Sequence, residues 1–391
     1  MALLLDNGRI ITPAGTLERG WLSYHDGLIS GLNAGLAPQS ESLPRLDVDG
    51  LTILPGFIDI HVHGALGHEA MDANPDGLRA MAAFYAKHGV TSFLATTWTD
   101  SHARILAALQ TIAAVRGRIP HGATLLGAHL EGPYLNPEKC GAQNAAYIRQ
   151  AMPDEAHAYL DVGVIRLLAL APEYPQNHWL IAECAKRGLT VSAAHTSAVY
   201  EEMVAAYQLG LRHATHLFNA MGGLGHRHVG TVGAVLGEDG ITCELIADTI
   251  HVHPIAMKIA YRSKGAEKLA LISDAVRPTG LPEGEYAVDG TRKIWVKDGA
   301  VRLHDGTLAG SILTLDVALH NLIQATGETL EKLWPTVSLT PARAIGLAER
   351  KGSLEVGKDA DIVVVDDNLH VHLTIAEGQI VYKSERFAYV V

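Results

Sequence analysis

Six side chains in this sequence are of the types that hold a divalent transition metal and activate water: His61, His63, Glu131, His195, His216 and Asp274. Imidazole nitrogens mixed with carboxylates suit Zn²⁺ or Fe²⁺, whereas Mg²⁺ takes mostly oxygens and a structural zinc uses cysteines. An ion held this way acidifies water and polarises a carbonyl, and a carboxylate within hydrogen-bond reach moves the proton. Spacing alone does not single these residues out. With 21 histidines in the chain, chance supplies about one His-x-His. Four occur, at His61/His63, His226/His228, His251/His253 and His370/His372. Taken singly, each histidine fits a buried, hydrogen-bonded core position, and Asp274 fits a turn or helix cap.

What gathers the six is the elements that carry them. From Gly56 to about residue 275 a β-rich apolar run alternates with a helical segment. The runs are FIDIHVH (57–63), VTSFLATTW (90–98), ATLLGAHLE (123–131), VIRLLALA (164–171), LTVSAAH (189–195), LRHATHLF (211–218), ITCELIAD (241–248) and KLALISDA (268–275). Continuous rather than alternating apolar runs mark buried parallel strands, so eight such units predict a (β/α)₈ TIM-type barrel over 55–349. Helices are predicted after the Asn74-Pro75 cap up to Gly89, over Ser101–Val115, Asn177–Arg187 and Pro254–Lys264, with closing segments near Thr314–Ala325 and Pro341–Leu347. In such a barrel, catalytic groups sit at the C-terminal ends of the strands. His61 and His63 end strand 1, Glu131 strand 3, His195 strand 5, His216 strand 6 and Asp274 strand 8. Residues 61 and 63 also share one face, because the side-chain period of a strand is two. Five strand ends thus deliver nitrogen and carboxylate ligands to one mouth.

The rest of the chain frames this barrel. EYAVDGTRKIWVKDGAVRLHDGT places Asp-Gly turns at 289–290 and 298–299 between alternating segments, which predicts β-hairpins inserted after strand 8. Residues 1–54 and 350–391 are short alternating strands with Gly or Asn turns, and neither end carries enough apolar surface to fold alone. They are expected to pair into one small β-sandwich domain. Over 391 residues, 31 Lys+Arg against 42 Asp+Glu give a formal charge of −11, which argues against nucleic acid or an anionic membrane surface as partner. The 48% hydrophobic and 19% charged composition is that of a globular chain. No apolar run approaches a membrane span, MALLLDNGR lacks the basic start of a signal peptide, and the unpaired Cys140, Cys184 and Cys243 suit a reducing cytoplasm.

LPGFIDIHVHG, HLEGPYLNPEKCGAQ, SAAHTSA, THLFNAM, LISDAV and TLAGS, in this order over about residues 50–315, resemble the successive signatures of the N-acetylglucosamine-6-phosphate deacetylase family of the amidohydrolase superfamily. The resemblance implies that Glu131, His195 and His216 hold one ion and that Asp274 is the general base and acid. It gives His61 and His63 as ligands of a second ion, so one or two ions per subunit. It also implies a cytoplasmic homodimer acting on a phosphorylated amino sugar. Asn219 and Ala220 would hold sugar hydroxyls or phosphate, and His251 and Arg227 the 6-phosphate, with Arg227 reaching the neighbouring subunit's site. Leu308 and Ala309 would line the sugar pocket, and Ala142 and Gln143 would lie by the acetyl group. A guanidinium–phosphate contact is a sound anchor for such a ligand. His253 is a rival to His251, and the family pattern favours His251. Three positions depart from the family pattern: Thr249 replaces a common Gly, His228-Val229 follows Arg227 where Glu-Pro is common, and Gln143 stands where His is frequent. Two of these border the sugar–phosphate pocket, so the galactosamine epimer or another N-acyl substrate stays open beside the glucosamine one.

Overall fold

The computed structural model describes residues 2–38, 43–288 and 292–388. Its centre is a ring of eight strands: β1 (Phe57–Val62), β2 (Val90–Thr96), β3 (Thr124–Glu131), β4 (Ile165–Leu170), β5 (Thr190–Ala193), β6 (His213–Ala214), β7 (Thr242–Ile246) and β8 (Leu269–Ile272). They pair in sequence order, each parallel to the next. β8 returns to β1 through a parallel bridge between Val62 and Ala275, with the Asp274 N–H donating to His61 O and the His63 N–H to Ala275 O. Nearly every strand residue is buried, as a sheet covered on both faces requires.

The helices between the strands follow local chemistry. The helix Pro75–Lys87 starts at Asn74, whose side chain accepts the Asp76 N–H, and has Pro at its first position. Helices His102–Val115, His178–Lys186, Pro254–Lys264, Leu315–Thr326 and Leu339–Ala344 stand where the caps and breakers place them, within a few residues. The run at 211–218 is the exception, because only His213–Ala214 pairs as strand. His216 and Phe218 have φ of 32° and 81°, so the chain turns out of the sheet there. After β8, a three-stranded antiparallel sheet is formed by Gly284–Ala287, Lys293–Lys297 and Ala300–Leu303. The Asp298-Gly299 turn joins its last two strands, and the turn at 289–290 lies outside the described residues.

Both chain ends build a second sheet, in the order Gln379–Lys383, Val371–Ala376, Ile362–Val365, Thr52–Pro55, Ala2–Thr12, Gly15–His25 and Leu28–Ala34, with Arg45–Asp47 beside Ala2–Thr12. Thr52–Pro55 and Ile362–Val365 zip antiparallel at its middle. The outermost strand bends back, since Ile29 N–H donates to Lys358 O and Ala360 N–H to Gly27 O. One apolar core with Leu5, Leu22, Tyr24, Ile53, Ile362 and Ile375 is thereby enclosed. No described helix is long and apolar enough to cross a membrane.

A buried charge cluster joins sheet to barrel. Lys351, 3% exposed, lies 2.8 Å from Asp361, 2.9 Å from Glu377 and 3.1 Å from Asp359. Arg118, in the connection to β3, meets the other oxygen of Glu377 at 2.6 Å. Burial alone would lower the Lys351 pKa, yet Asp361, Glu377 and Asp359 hold it above the usual lysine value. Lys351→Met therefore leaves three carboxylates without their shared cation and should cost about 3–5 kcal/mol. A denaturant unfolding midpoint measures this, and a loss below about 1 kcal/mol, the worth of an exposed pair, would show that the cluster does not hold the junction.

Candidate active site

The alternation of β1 turns Asp59, His61 and His63 into the barrel, and that of β3 turns His129 and Glu131 the same way. His195, His216 and Asp274 arrive differently, each two residues beyond its strand with φ of 44°, 32° and 50°. Non-glycine residues in the left-handed region are uncommon and costly. Here the kink at each strand end aims the side chain over the mouth instead of outwards.

The six residues converge around one carboxylate. Glu131 Oε1 lies 3.2 Å from His195 Nε2 and 3.1 Å from His216 Nε2, and those two nitrogens are 3.1 Å apart. Its Oε2 lies 3.2 Å from His63 Nε2 and 3.6 Å from His61 Nε2. Asp274 Oδ1 is 3.4 Å from both of those nitrogens. The six form two ligand groups, Glu131/His195/His216 and His61/His63/Asp274, with Glu131 between them, and His61 also falls in a third with His129 and Glu244. All six side chains are buried or nearly so.

This donor set fits a metal. Tetrahedral ligation at about 2.0–2.1 Å separates ligand atoms by about 3.3 Å, close to the distances found. Two neutral imidazole nitrogens pointing at each other and at a shared carboxylate repel unless a proton or cation stands between them. The electrostatics say the same. Burial would lower the pKa of His61 and His63, but Asp274 and Glu131 hold both above the usual imidazole value. Burial would raise Glu131 and Asp274, but His61 foremost holds both below the usual carboxylate range. The site thus demands cationic charge. On the first group, the His195 Nδ1–H donates to Lys139 O at 2.8 Å, which frees Nε2 as a ligand.

A cavity of about 490 Å³ opens above these residues. Ala142, Gln143, Asn219, Ala220, His251 and Leu308 line it, as do His63, Glu131, His195, His216 and Asp274. Ala309 sits one step back, with Ala142 around a small adjoining cavity. Gln143 is already engaged: its Nε2 donates to Glu131 Oε2 at 2.7 Å and its Oε1 accepts the Thr99 N–H at 2.7 Å. His251 is held by Asp248 Oδ2 at 2.6 Å, whereas the rival His253 caps a helix by accepting the Ile255 N–H. Arg227 is exposed on the 222–229 loop and does not line this cavity.

Several lining residues escaped the sequence reading. Trp98, stacked on His63 with ring centres 4.0 Å apart, follows β2 and obeys the same strand-end rule. Lys139 and Arg302 also line the mouth, Arg302 from the inserted three-stranded sheet, which no barrel rule predicts. Beneath the six lies Glu244, fully buried on β7, whose only sequence signal is a lone charge inside an apolar strand.

Residues 52–381 match the amidohydrolase family. The chain is 37% identical to N-acetylglucosamine-6-phosphate deacetylase of Bacillus subtilis over 389 residues, covering 98% of each. To N-acetylgalactosamine-6-phosphate deacetylase of Escherichia coli O157:H7 it is 37% identical over 366 residues, covering 93% of this chain and 96% of the other. Among solved structures, N-acetyl-D-glucosamine-6-phosphate deacetylase of Mycobacterium smegmatis, in complex with N-acetyl-D-glucosamine-6-phosphate, superposes with a TM-score of 0.90 at 31% identity, covering 98% of this chain and 99% of that one. Barrel, ligand geometry and similarity over the full length agree: the chain belongs to the amidohydrolase family and, within it, to the N-acetylglucosamine-6-phosphate deacetylases.

Proposed function

We propose that this enzyme hydrolyses the N-acetyl group of N-acetylglucosamine 6-phosphate in the cytoplasm, giving acetate and glucosamine 6-phosphate. The observation that carries this reading is Glu131 placed between two ligand groups on the floor of a sugar-sized cavity. A divalent ion bound there, Zn²⁺ or Fe²⁺ at one or two per subunit, supplies a nucleophile from water at neutral pH and polarises the acetyl carbonyl. Glu131, His195 and His216 hold the first ion, and His61 and His63 the second. Asp274 accepts the proton of the attacking water at its carboxylate and returns it to the amide nitrogen as the carbon–nitrogen bond breaks. Because Asp274 Oδ1 also faces His61 and His63, it is placed to serve the second ion as well. Gln143 has one amide hydrogen beyond its bond to Glu131, directed to the acetyl group alongside Ala142. Asn219, the Ala220 N–H, Leu308 and Ala309 shape the sugar site. His251, braced by Asp248, meets the phosphate.

Arg227 completes the phosphate site from the partner subunit of a homodimer. Its exposure and its absence from its own chain's cavity lining support this. The galactosamine epimer is the second reading, kept open by Thr249 in place of the common Gly and by the equal identity to the Escherichia coli enzyme. Acetate release measured over both 6-phosphate epimers and their unphosphorylated forms decides. Highest kcat/KM on N-acetylglucosamine 6-phosphate is expected, and turnover of neither phosphorylated sugar would overturn the reading.

Two variants test the roles. Asp274→Asn should keep the Glu131/His195/His216 ion and lose on the order of 10²–10⁴ in kcat, read by metal analysis beside turnover. Near-normal turnover with full metal would remove Asp274 from proton transfer. Arg227→Ala should raise KM for the phosphorylated substrate more than it lowers kcat, since phosphate binding is largely uniform between ground and transition states. Co-expressed with Asp274→Asn, random pairing makes half the dimers mixed, each with one intact site, so activity at low substrate should return to about a quarter of wild type. Only the average of the two parents is expected if Arg227 serves its own chain.

A further inference from the structure

Glu244 is a fully buried carboxylate that no step above uses. Its Oε2 lies 2.9 Å from His61 Nδ1 and accepts the His216 N–H at 3.2 Å. Its Oε1 lies 3.2 Å from His213 Nε2, and the other nitrogen of His213 is 2.6 Å from Thr242 Oγ1. The Leu217 N–H donates to the Glu244 carbonyl at 2.9 Å. A charge taken wholly out of water persists only where hydrogen bonds and counter-charges replace its hydration, and this one has its side-chain contacts on three histidines.

We propose that Glu244 is the positioning residue of the His61/His63 ion site, holding the His61 ring with its Nδ1–H on the carboxylate and its Nε2 lone pair turned towards Glu131 and Asp274. An imidazole ligates through one nitrogen only when the other's hydrogen bond fixes tautomer and ring angle. His61 has little else to fix it, as its other side-chain hydrogen-bond and ion-pair partners among the described residues face Nε2. Because Oε2 also receives the His216 N–H, the same carboxylate ties β1 to the turn that aims His216. His129 does not share this role. Its ring packs edge-on against His61 at 4.6 Å, and neither of its nitrogens has a hydrogen-bond partner among the described residues.

The inference rests on the two-ion reading given under Proposed function, and ion titration separates the two. Protein stripped with a chelator is titrated with Zn²⁺, with bound ions counted by elemental analysis and affinities taken from calorimetry. Wild type should bind two ions. Glu244→Gln keeps the shape, offering an amide oxygen to His61 and an amide N–H to His213, yet removes the charge. It should weaken the second ion about 10–100-fold, the usual cost of losing such a partner, with little change in the first ion or in the metal-free unfolding midpoint. Glu244→Asp, which keeps the charge but withdraws it by one methylene, should weaken the second ion more than the first, and it serves if Glu244→Gln does not fold. Two ions bound as in wild type would overturn the role. So would equal weakening of both ions with a lowered metal-free midpoint, or a third ion in wild type at His61, His129 and Glu244. Fewer than two ions in wild type would instead bring down the two-ion reading, and this inference with it.

Discussion

Glu131 is a carboxylate almost wholly removed from water with four imidazole nitrogens within 3.6 Å of its two oxygens. Its charge costs several kcal/mol to bury unless cationic charge is held at close range, and the nitrogens around it repel one another unless something positive stands among them. That single requirement organises the mouth of the barrel. Each oxygen serves one ligand group, so the residues from the end of β1 and after β8 and those after β5 and β6 must meet on opposite sides of one side chain. A ring of eight parallel strands achieves this because it brings distant sequence positions to one rim.

The rim is made by departures from regular strand. His195, His216 and Asp274 all take left-handed backbone angles just past their strands, conformations that the surrounding structure must over-determine. Support is visible at each: Asn136 N–H donates to His195 O, Asn219 N–H to His216 O, and Ser311 N–H to Asp274 O. Gly310 is required beside the last of these, since a Cβ there would stand 2.8 Å from the Asp274 carbonyl and 2.4 Å from Val276, and its own φ is 61°. The catalytic face is thus held by loop backbone packed on the barrel, not by the strands alone.

The barrel was legible because buried parallel strands leave unbroken apolar runs, and the metal-type residues because strand-end position singled out six from a histidine-rich chain. Pro254–Lys264 was readable to the residue from its Pro and Gly limits. What stayed hidden depends on contacts between residues far apart in sequence. Glu244 reads as one charge in an apolar strand until folding sets it beside His61, 183 positions away. Gln143 looks free to meet a substrate until its amide is seen on Glu131 and Thr99. Arg302 reaches the cavity from an inserted sheet whose placement no strand periodicity encodes. The helix cap that occupies His253 depends on where the Ile255 N–H falls once the helix forms.

The central claim is that Glu131, His195 and His216 would hold an ion beside the His61/His63 site, and anomalous diffraction from crystals of the Zn²⁺-loaded protein at the zinc edge tests it most directly. The account predicts a peak among Glu131, His195 and His216, with the second ion's peak among His61, His63 and Asp274. The absence of any peak among Glu131, His195 and His216 would contradict it.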